Sequence, residues 1–237
     1  MARRPLLARR GLAVVVVIGA ALATVALGVR YGHTRTPGRV DRHLDAAIQR
    51  RLAGHPHLVV RVVDLADPGS IIVICALLCA LFLLLNRTRL AVLAIVGPGL
   101  AGGLVDFVLK PLFDRHLETM LSFPSGHTAA TASLALVVLC AMIGPGRLQW
   151  PFLIRWLIAV AATAAVPIMA IALVGGGYHY ATDTIGGLLV AIACVLSVAL
   201  VIDTIAGQPG GYRPAHKKAM PSDATQTDDA IRPRVRA

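Results

Sequence analysis

Few residues in this chain could hold a metal, form a disulfide or read a nucleic acid. There is no carboxylate cluster, and no histidine stands near a cysteine at ligand spacing. A metal centre is therefore not expected. The four cysteines, Cys75, Cys79, Cys140 and Cys194, all lie inside apolar runs, where thiols serve as small packing residues, so no disulfide is expected either. Acidic residues are scarce, 12 against 23 lysines and arginines, giving a formal net charge of +11. No basic stripe alternates with exposed aromatics, and the positive charge sits in the tails and in loops between apolar runs, which excludes a nucleic-acid partner. Short basic loops of this kind fit membrane topology and anionic headgroups instead.

Apolar residues are what the chain has in abundance. They make up 57% of its 237 residues, well above the share in a soluble domain. The expected fold is all-α, a polytopic membrane protein with a bundle of six transmembrane helices and an amphipathic helix between the first two. A basic start, residues 1–10, precedes the run Gly11 to Val29, which is long enough to cross the roughly 30 Å hydrocarbon core. Its end, Leu27-Gly28-Val29-Arg30, makes a poor cleavage site, so the run reads as an uncleaved span rather than a signal peptide. Five more runs follow, at about Ile71 to Leu85, Leu90 to Leu109, Thr128 to Ile143, Trp156 to Val174 and Thr184 to Ala206. The third contains Gly97, Pro98, Gly99, Gly102 and Gly103, small residues that allow close helix approach.

Residues 30–69 form an extracytoplasmic segment. Within it Val40, Leu44, Ile48 and Leu52 recur at helical spacing, which predicts an interfacial amphipathic helix serving as a packing lid or a substrate-gathering surface. The membrane domain spans 11–206, and the Pro-, Gly- and charge-rich remainder, 207–237, is expected to be a disordered cytoplasmic tail. Six spans with basic loops at Arg87, Arg89, Arg147 and Arg155 place both termini in the cytoplasm and the other helix ends outside the cytoplasmic membrane.

Two polar turns interrupt this apolar sequence. Phe123-Pro124-Ser125-Gly126-His127 opens one helix, and Gly175-Gly176-Gly177 leads into His179-Tyr180-Ala181-Thr182-Asp183 at the start of another. Ionisable groups at membrane depth are costly and tend to be functional. Asp183, four residues after His179, is placed to accept a proton from one ring nitrogen and orient the other, leaving an imidazole able to act as nucleophile or base. His127 can move a proton. Ser125 and Gly126 open a helix whose first amides suit an anion, and Lys110 and Arg115 add fixed positive charge. Such a set fits phosphoryl transfer, in which positioning and charge stabilisation carry most of the catalysis.

These residues resemble the type 2 phosphatidic acid phosphatase superfamily, whose signatures are Lys-x6-Arg-Pro, Pro-Ser-Gly-His and Ser-Arg-x5-His-x3-Asp. The second is complete at Pro124 to His127, and so is the end of the third, His179 to Asp183. The resemblance implies a membrane phosphatase that hydrolyses a lipid phosphate or a polyprenyl phosphate or diphosphate without a cofactor, with membrane lipids around it. It further implies that His179 attacks phosphorus to form a phosphohistidine, Asp183 holds it, and His127 protonates the leaving oxygen. Lys110, Arg115, Ser125 and Gly126 would bind the phosphate. The chain departs from the family at two pairs of positions, with Leu117 and Glu118 for the first arginine and proline, and Ala172 and Leu173 for the serine and arginine of the third signature. Arg115 and the amides of Gly175 to Gly177 are the candidate substitutes for the lost guanidiniums. The alternative reading is a catalytically weak relative that binds or translocates lipid phosphates.

Overall fold

The structure is a computed structural model and describes residues 5–207. It is helical apart from one short hairpin. The elements are α1 (Arg10–Tyr31), α2 (Arg39–Leu52), α3 (Pro56–Asp64), α4 (Pro68–Leu84) and α5 (Thr88–Leu104), which runs through a π turn (Val105–Leu109) into α6 (Lys110–Phe113). Two-residue strands β1 (His116–Leu117) and β2 (Met120–Leu121) follow, then α7 (Gly126–Met142), α8 (Phe152–Gly175) and α9 (Ala181–Gly207).

Helix α2 appears where the apolar spacing placed it, but α3 does not follow from that pattern. Pro56 at its first turn starts it, since a helix leaves that amide unbonded anyway. The N-terminal segment and the 207–237 tail were expected to be basic and disordered respectively; residues 1–4 and 208–237 lie outside the described residues.

Among the described residues, four helices are long and apolar enough to cross a bilayer: Arg10–Tyr31, Thr88–Phe113, Phe152–Gly175 and Ala181–Ala206. The pair Pro56–Asp64 and Pro68–Leu84, bent by 49°, passes the same test as a unit, whereas Gly126–Met142 is apolar but shorter. By length alone the count is thus four or five, not the expected six. Large apolar side chains such as Leu12, Leu22, Val29, Leu77, Leu84 and Val160 point outward from these rods, as a lipid-facing surface requires.

Helix α9 is the central rod, packed against α1, α5 and α7. The contacts are built from small residues: Ala91, Ala94 and Ala101 on α5, Ala129 and Ala132 on α7, and Ala191 and Ala199 on α9 are all buried. Without a hydrophobic drive between helices in lipid, such close approach is what holds them together. Of the α5 glycines, Gly97 serves this purpose, with the position of an added Cβ 3.3 Å from Val195, whereas Gly99, Gly102 and Gly103 face open space.

The two ends of the bundle are polar and distinct. At one, the buried Asp203 carboxylate of α9 accepts from the Leu6 amide at 2.8 and 2.9 Å and the Leu7 amide at 3.0 Å, and Arg89 stands 3.8 Å away. At the other end, the start of α9 meets the start of α7, where the Ser125 amide donates to the Asp183 carbonyl at 3.0 Å. Gly187 makes that approach possible, because a Cβ there would run into the Ser125 carbonyl oxygen and the Ala129 nitrogen. Gly187→Ala should therefore destabilise the purified protein by about 1–3 kcal/mol. Gly99→Ala, with open space around it, should be neutral or stabilising by up to about 1 kcal/mol through helix propensity. Thermal unfolding of the two variants in detergent checks the contrast.

Candidate active site

The start of α9 has its amides satisfied by three carboxylates. Asp183 reaches back to accept from the Tyr180 amide at 3.0 Å, half of a capping box. Asp45 and Asp41, both from α2, accept from the amides of Ala181 at 3.1 Å and Thr182 at 3.0 Å. Helix starts leave these donors without intrahelical partners, and acidic groups near them are favoured by the helix dipole. Helix α2 is therefore docked by its acidic face. Its inward residues are Asp41 and Asp45, and Val40 and Leu44 of the apolar stripe are turned outward, while Leu52 packs on Gly175 and Gln49 donates to the Val174 carbonyl.

His179 lies just before this turn, with its side chain only 10% exposed. Its Nδ1 stands 3.6 Å from Asp183 Oδ2 and is buried without a closer partner. That separation is longer than a hydrogen bond, a common state for a catalytic contact that tightens only when substrate is bound. The other oxygen of Asp183 is engaged by Arg115, whose Nη1 donates to it at 2.6 Å and to Thr182 Oγ1 at 2.7 Å.

Arg115 corrects a sequence-based expectation. It was a candidate phosphate ligand, but its side chain has no exposure; Nη2 donates to Asp41 at 2.7 Å, and its guanidinium stacks between the rings of Tyr31 and Tyr180. Nη1 and Nη2 are thus committed to Asp183, Thr182 and Asp41, and Nε is buried without a partner, so the guanidinium faces the protein rather than a ligand. The hairpin positions it, since the Ser122 amide donates to the Arg115 carbonyl at 2.8 Å. The departures at Leu117 and Glu118 fall in the same hairpin, where Leu117 pairs with Met120 and Glu118 takes the turn at φ +55°.

The remaining expected residues converge on the same end. Lys110, at the foot of the π turn, is paired with Asp106 at 2.8 Å, and its Nζ lies beside Gly126. His127 Nε2 is 3.5 Å from Asp67, the residue before α4, and His127 lies within electrostatic reach of His179 and Lys110. Ser125 is buried as the N-cap of α7, accepting from the Thr128 amide at 3.3 Å, so its hydroxyl is a helix cap here. Gly126 and His127 supply the first two amides of α7, which no helix bonds internally.

The other candidate substitute for the lost guanidiniums is already engaged. The amides of Gly176 and Gly177 donate to the Ala172 and Val174 carbonyls, closing the end of α8. Leu173 is fully buried against α3. Lys110 is thus the cation among the expected site residues that stands next to the α7 start. The sequence reading missed Asp41, Asp45, Asp67 and Asp106. Asp106 was legible, four residues before Lys110, and Asp41 and Asp45 share that spacing in an otherwise basic helix.

Burial pushes the Asp45 carboxyl up to about 6; the charges of Asp41 and Asp183 add to this, and the Ala181 amide and Arg115 oppose it. Burial acts in the same sense on Asp41, but there the Thr182 amide and Arg115 prevail and hold it below the usual carboxylate range. The cluster therefore keeps one of its carboxylates reluctant to ionise.

Comparison with known proteins finds similarity to the family that the motifs resemble, over part of the chain. Residues 110–205 match the PAP2 superfamily, whose members are phosphatases. The chain resembles the crystal structure of a transmembrane PAP2-type phosphatidylglycerolphosphate phosphatase from Bacillus subtilis, with a TM-score of 0.61 and 19% identity over 77% of this chain and 93% of that one. No curated protein matches. The chain thus shares the helical fold of that transmembrane structure.

Because its carboxyl binds a proton more tightly in the folded state, Asp45 adds stability that is complete below its unfolded value of 3.8 and is lost as pH rises through about 6. Asp45→Asn, which keeps the acceptor for Ala181, should raise the thermal midpoint at pH 7.5 by roughly 2–4 °C, and the gain should vanish below pH 4. A variant less stable than the wild type at pH 7.5 would contradict this ordering.

Proposed function

We propose that this chain is a membrane phosphatase that hydrolyses a lipid phosphate or a polyprenyl phosphate or diphosphate through a phosphohistidine at His179. The observation that carries the reading is the convergence of His179, Asp183, His127 and Lys110, from helices remote in sequence, on one end of the bundle. In the first step the His179 nitrogen facing away from Asp183 attacks phosphorus. An N–P bond forms, the P–O bond to the lipid breaks, and the leaving oxygen takes a proton from His127. Asp183 stabilises the charge that develops on the imidazole. In the second step water attacks phosphorus, gives a proton to His127, and the N–P bond breaks. Lys110 and the first amides of α7 hold the phosphoryl oxygens, where helix-start donors and a fixed cation are most effective. No metal or cofactor takes part in this scheme.

In this reading all six apolar rods cross the cytoplasmic membrane, with the bend between α3 and α4 at the surface and α7 completing its crossing with flanking residues. Asp203 binds Leu6 at the cytoplasmic end, so both termini lie there, and the histidine end is extracytoplasmic. Membrane lipids surround the bundle and deliver the substrate.

A second reading is favoured by one feature. With Leu173 buried, Arg115 committed to carboxylates and Lys110 already paired with Asp106, the phosphate clamp is thin. A relative that binds or translocates lipid phosphates with little turnover has the same fold and the same Lys110 cradle.

Phosphate release from phosphatidic acid, a polyprenyl monophosphate and a polyprenyl diphosphate, measured in EDTA, separates the two. The phosphatase reading expects release by the wild type, none by His179→Ala, and a loss of about 10²–10⁴-fold in His127→Ala. Binding without release in all three proteins supports the second reading.

A further inference from the structure

We propose that Asp41 of α2 is a positioning residue for the His179–Asp183 pair, acting through Arg115, so that the amphipathic helix belongs to the reaction centre. This rests on the phosphatase reading above. Asp183 divides its two oxygens. Oδ1 takes Arg115 Nη1 at 2.6 Å, and Oδ2 takes the Tyr180 amide and faces His179 at 3.6 Å.

A guanidinium so close would on its own cancel the negative charge that Asp183 presents to the imidazole. Asp41 Oδ2 takes up the other edge of the fork at 2.7 Å and restores that charge. The same carboxylate fixes the turn that carries Asp183, because its Oδ1 accepts from the Thr182 amide while Oδ2 also accepts from the Gly38 amide at the start of α2. Tyr31 and Tyr180 stack on the guanidinium, with Arg115 Cζ at 4.8 and 4.4 Å from the ring centres, and set its plane. One side chain on an outer helix therefore determines where Arg115 lies, where the first turn of α9 lies, and the charge behind the nucleophile.

Around His179 the charged groups are Asp183 on its own turn and His127 from α7. Lys110 and Asp67 face His127 in turn, while Arg115 and Asp41 stand behind Asp183 with Asp45 beside them. Replacing Asp41 by asparagine removes one negative charge from this set and leaves its volume unchanged. Protonation of the imidazole then becomes harder, and the acid limb of the kcat/KM profile moves to lower pH. A merely structural Asp41 would lower stability without moving that limb.

The test is the full-length protein in detergent with the same three lipid phosphates in mixed micelles, comparing wild type, Asp41→Asn and Asp41→Glu, each with its thermal midpoint recorded. Asp41→Asn should lower kcat about 10- to 100-fold with KM within about twofold, and shift the acid limb down by about 0.5 pH unit or more. Asp41→Glu keeps the charge but displaces the fork, so it should lower kcat about 10-fold or more with the acid limb unmoved. If Asp41→Asn does not fold, the Asp41→Glu result decides. Wild-type kcat in either folded variant, or an unshifted limb in Asp41→Asn, overturns the inference while leaving the phosphatase reading in place. A wild type with no turnover on any substrate overturns that reading and this inference with it.

Discussion

Arg115 carries a charge that cannot be neutralised into a place without solvent, and the surrounding structure answers that constraint. An unpaired charge there would cost several kcal/mol, and breaking one partner of a buried pair typically costs about 3–5 kcal/mol. The side chain is accordingly held by Asp41, Asp183 and Thr182 and stacked between two tyrosines. Those partners come from the end of α1, the first face of α2 and the start of α9. A single guanidinium thus ties together three segments remote in sequence.

The amides at the start of α9 impose a second demand that the same carboxylates meet. In lipid or at its boundary no water is guaranteed for them, so Asp41, Asp45 and Asp183 serve as acceptors. Burial raises the proton affinity of Asp45, and the charges of Asp41 and Asp183 beside it add to the rise. The far end of α9 repeats the device in simpler form, with Asp203 closing the amides of Leu6 and Leu7 and Arg10 donating to the Asp203 carbonyl. Both ends of the central rod are pinned by carboxylate-to-amide bonds, and small residues pack its middle.

The apolar rods were legible because hydropathy and length alone define a membrane helix, and the bounds of each expected run fall within a few residues of a helical element, the third run continuing from α5 through the π turn. His179 and Asp183 were legible because the pairing is local, four residues within one turn. Arg115 was not. Its partners lie 68 and 74 residues away, and its proximity to Lys110 in sequence suggested a shared ligand. The orientation of α2 was also hidden, since an apolar stripe is normally turned inward. Here satisfying buried donors and a buried cation outweighs covering Val40 and Leu44, whose outward position at a membrane boundary costs little.

On the proposed reading, His179 is a well-supported nucleophile among few cations. In phosphoryl transfer, positioning and charge stabilisation share the work, so a chain can keep the first while thinning the second and remain active on a narrow set of substrates. The most direct test is to trap the intermediate. Acid-free quenching of the wild-type protein during turnover of a phosphorus-labelled lipid phosphate, followed by mass spectrometry of the peptides, should place the phosphoryl group on His179. Label on any other residue, or turnover without a labelled protein under conditions that preserve phosphohistidine, would contradict the account.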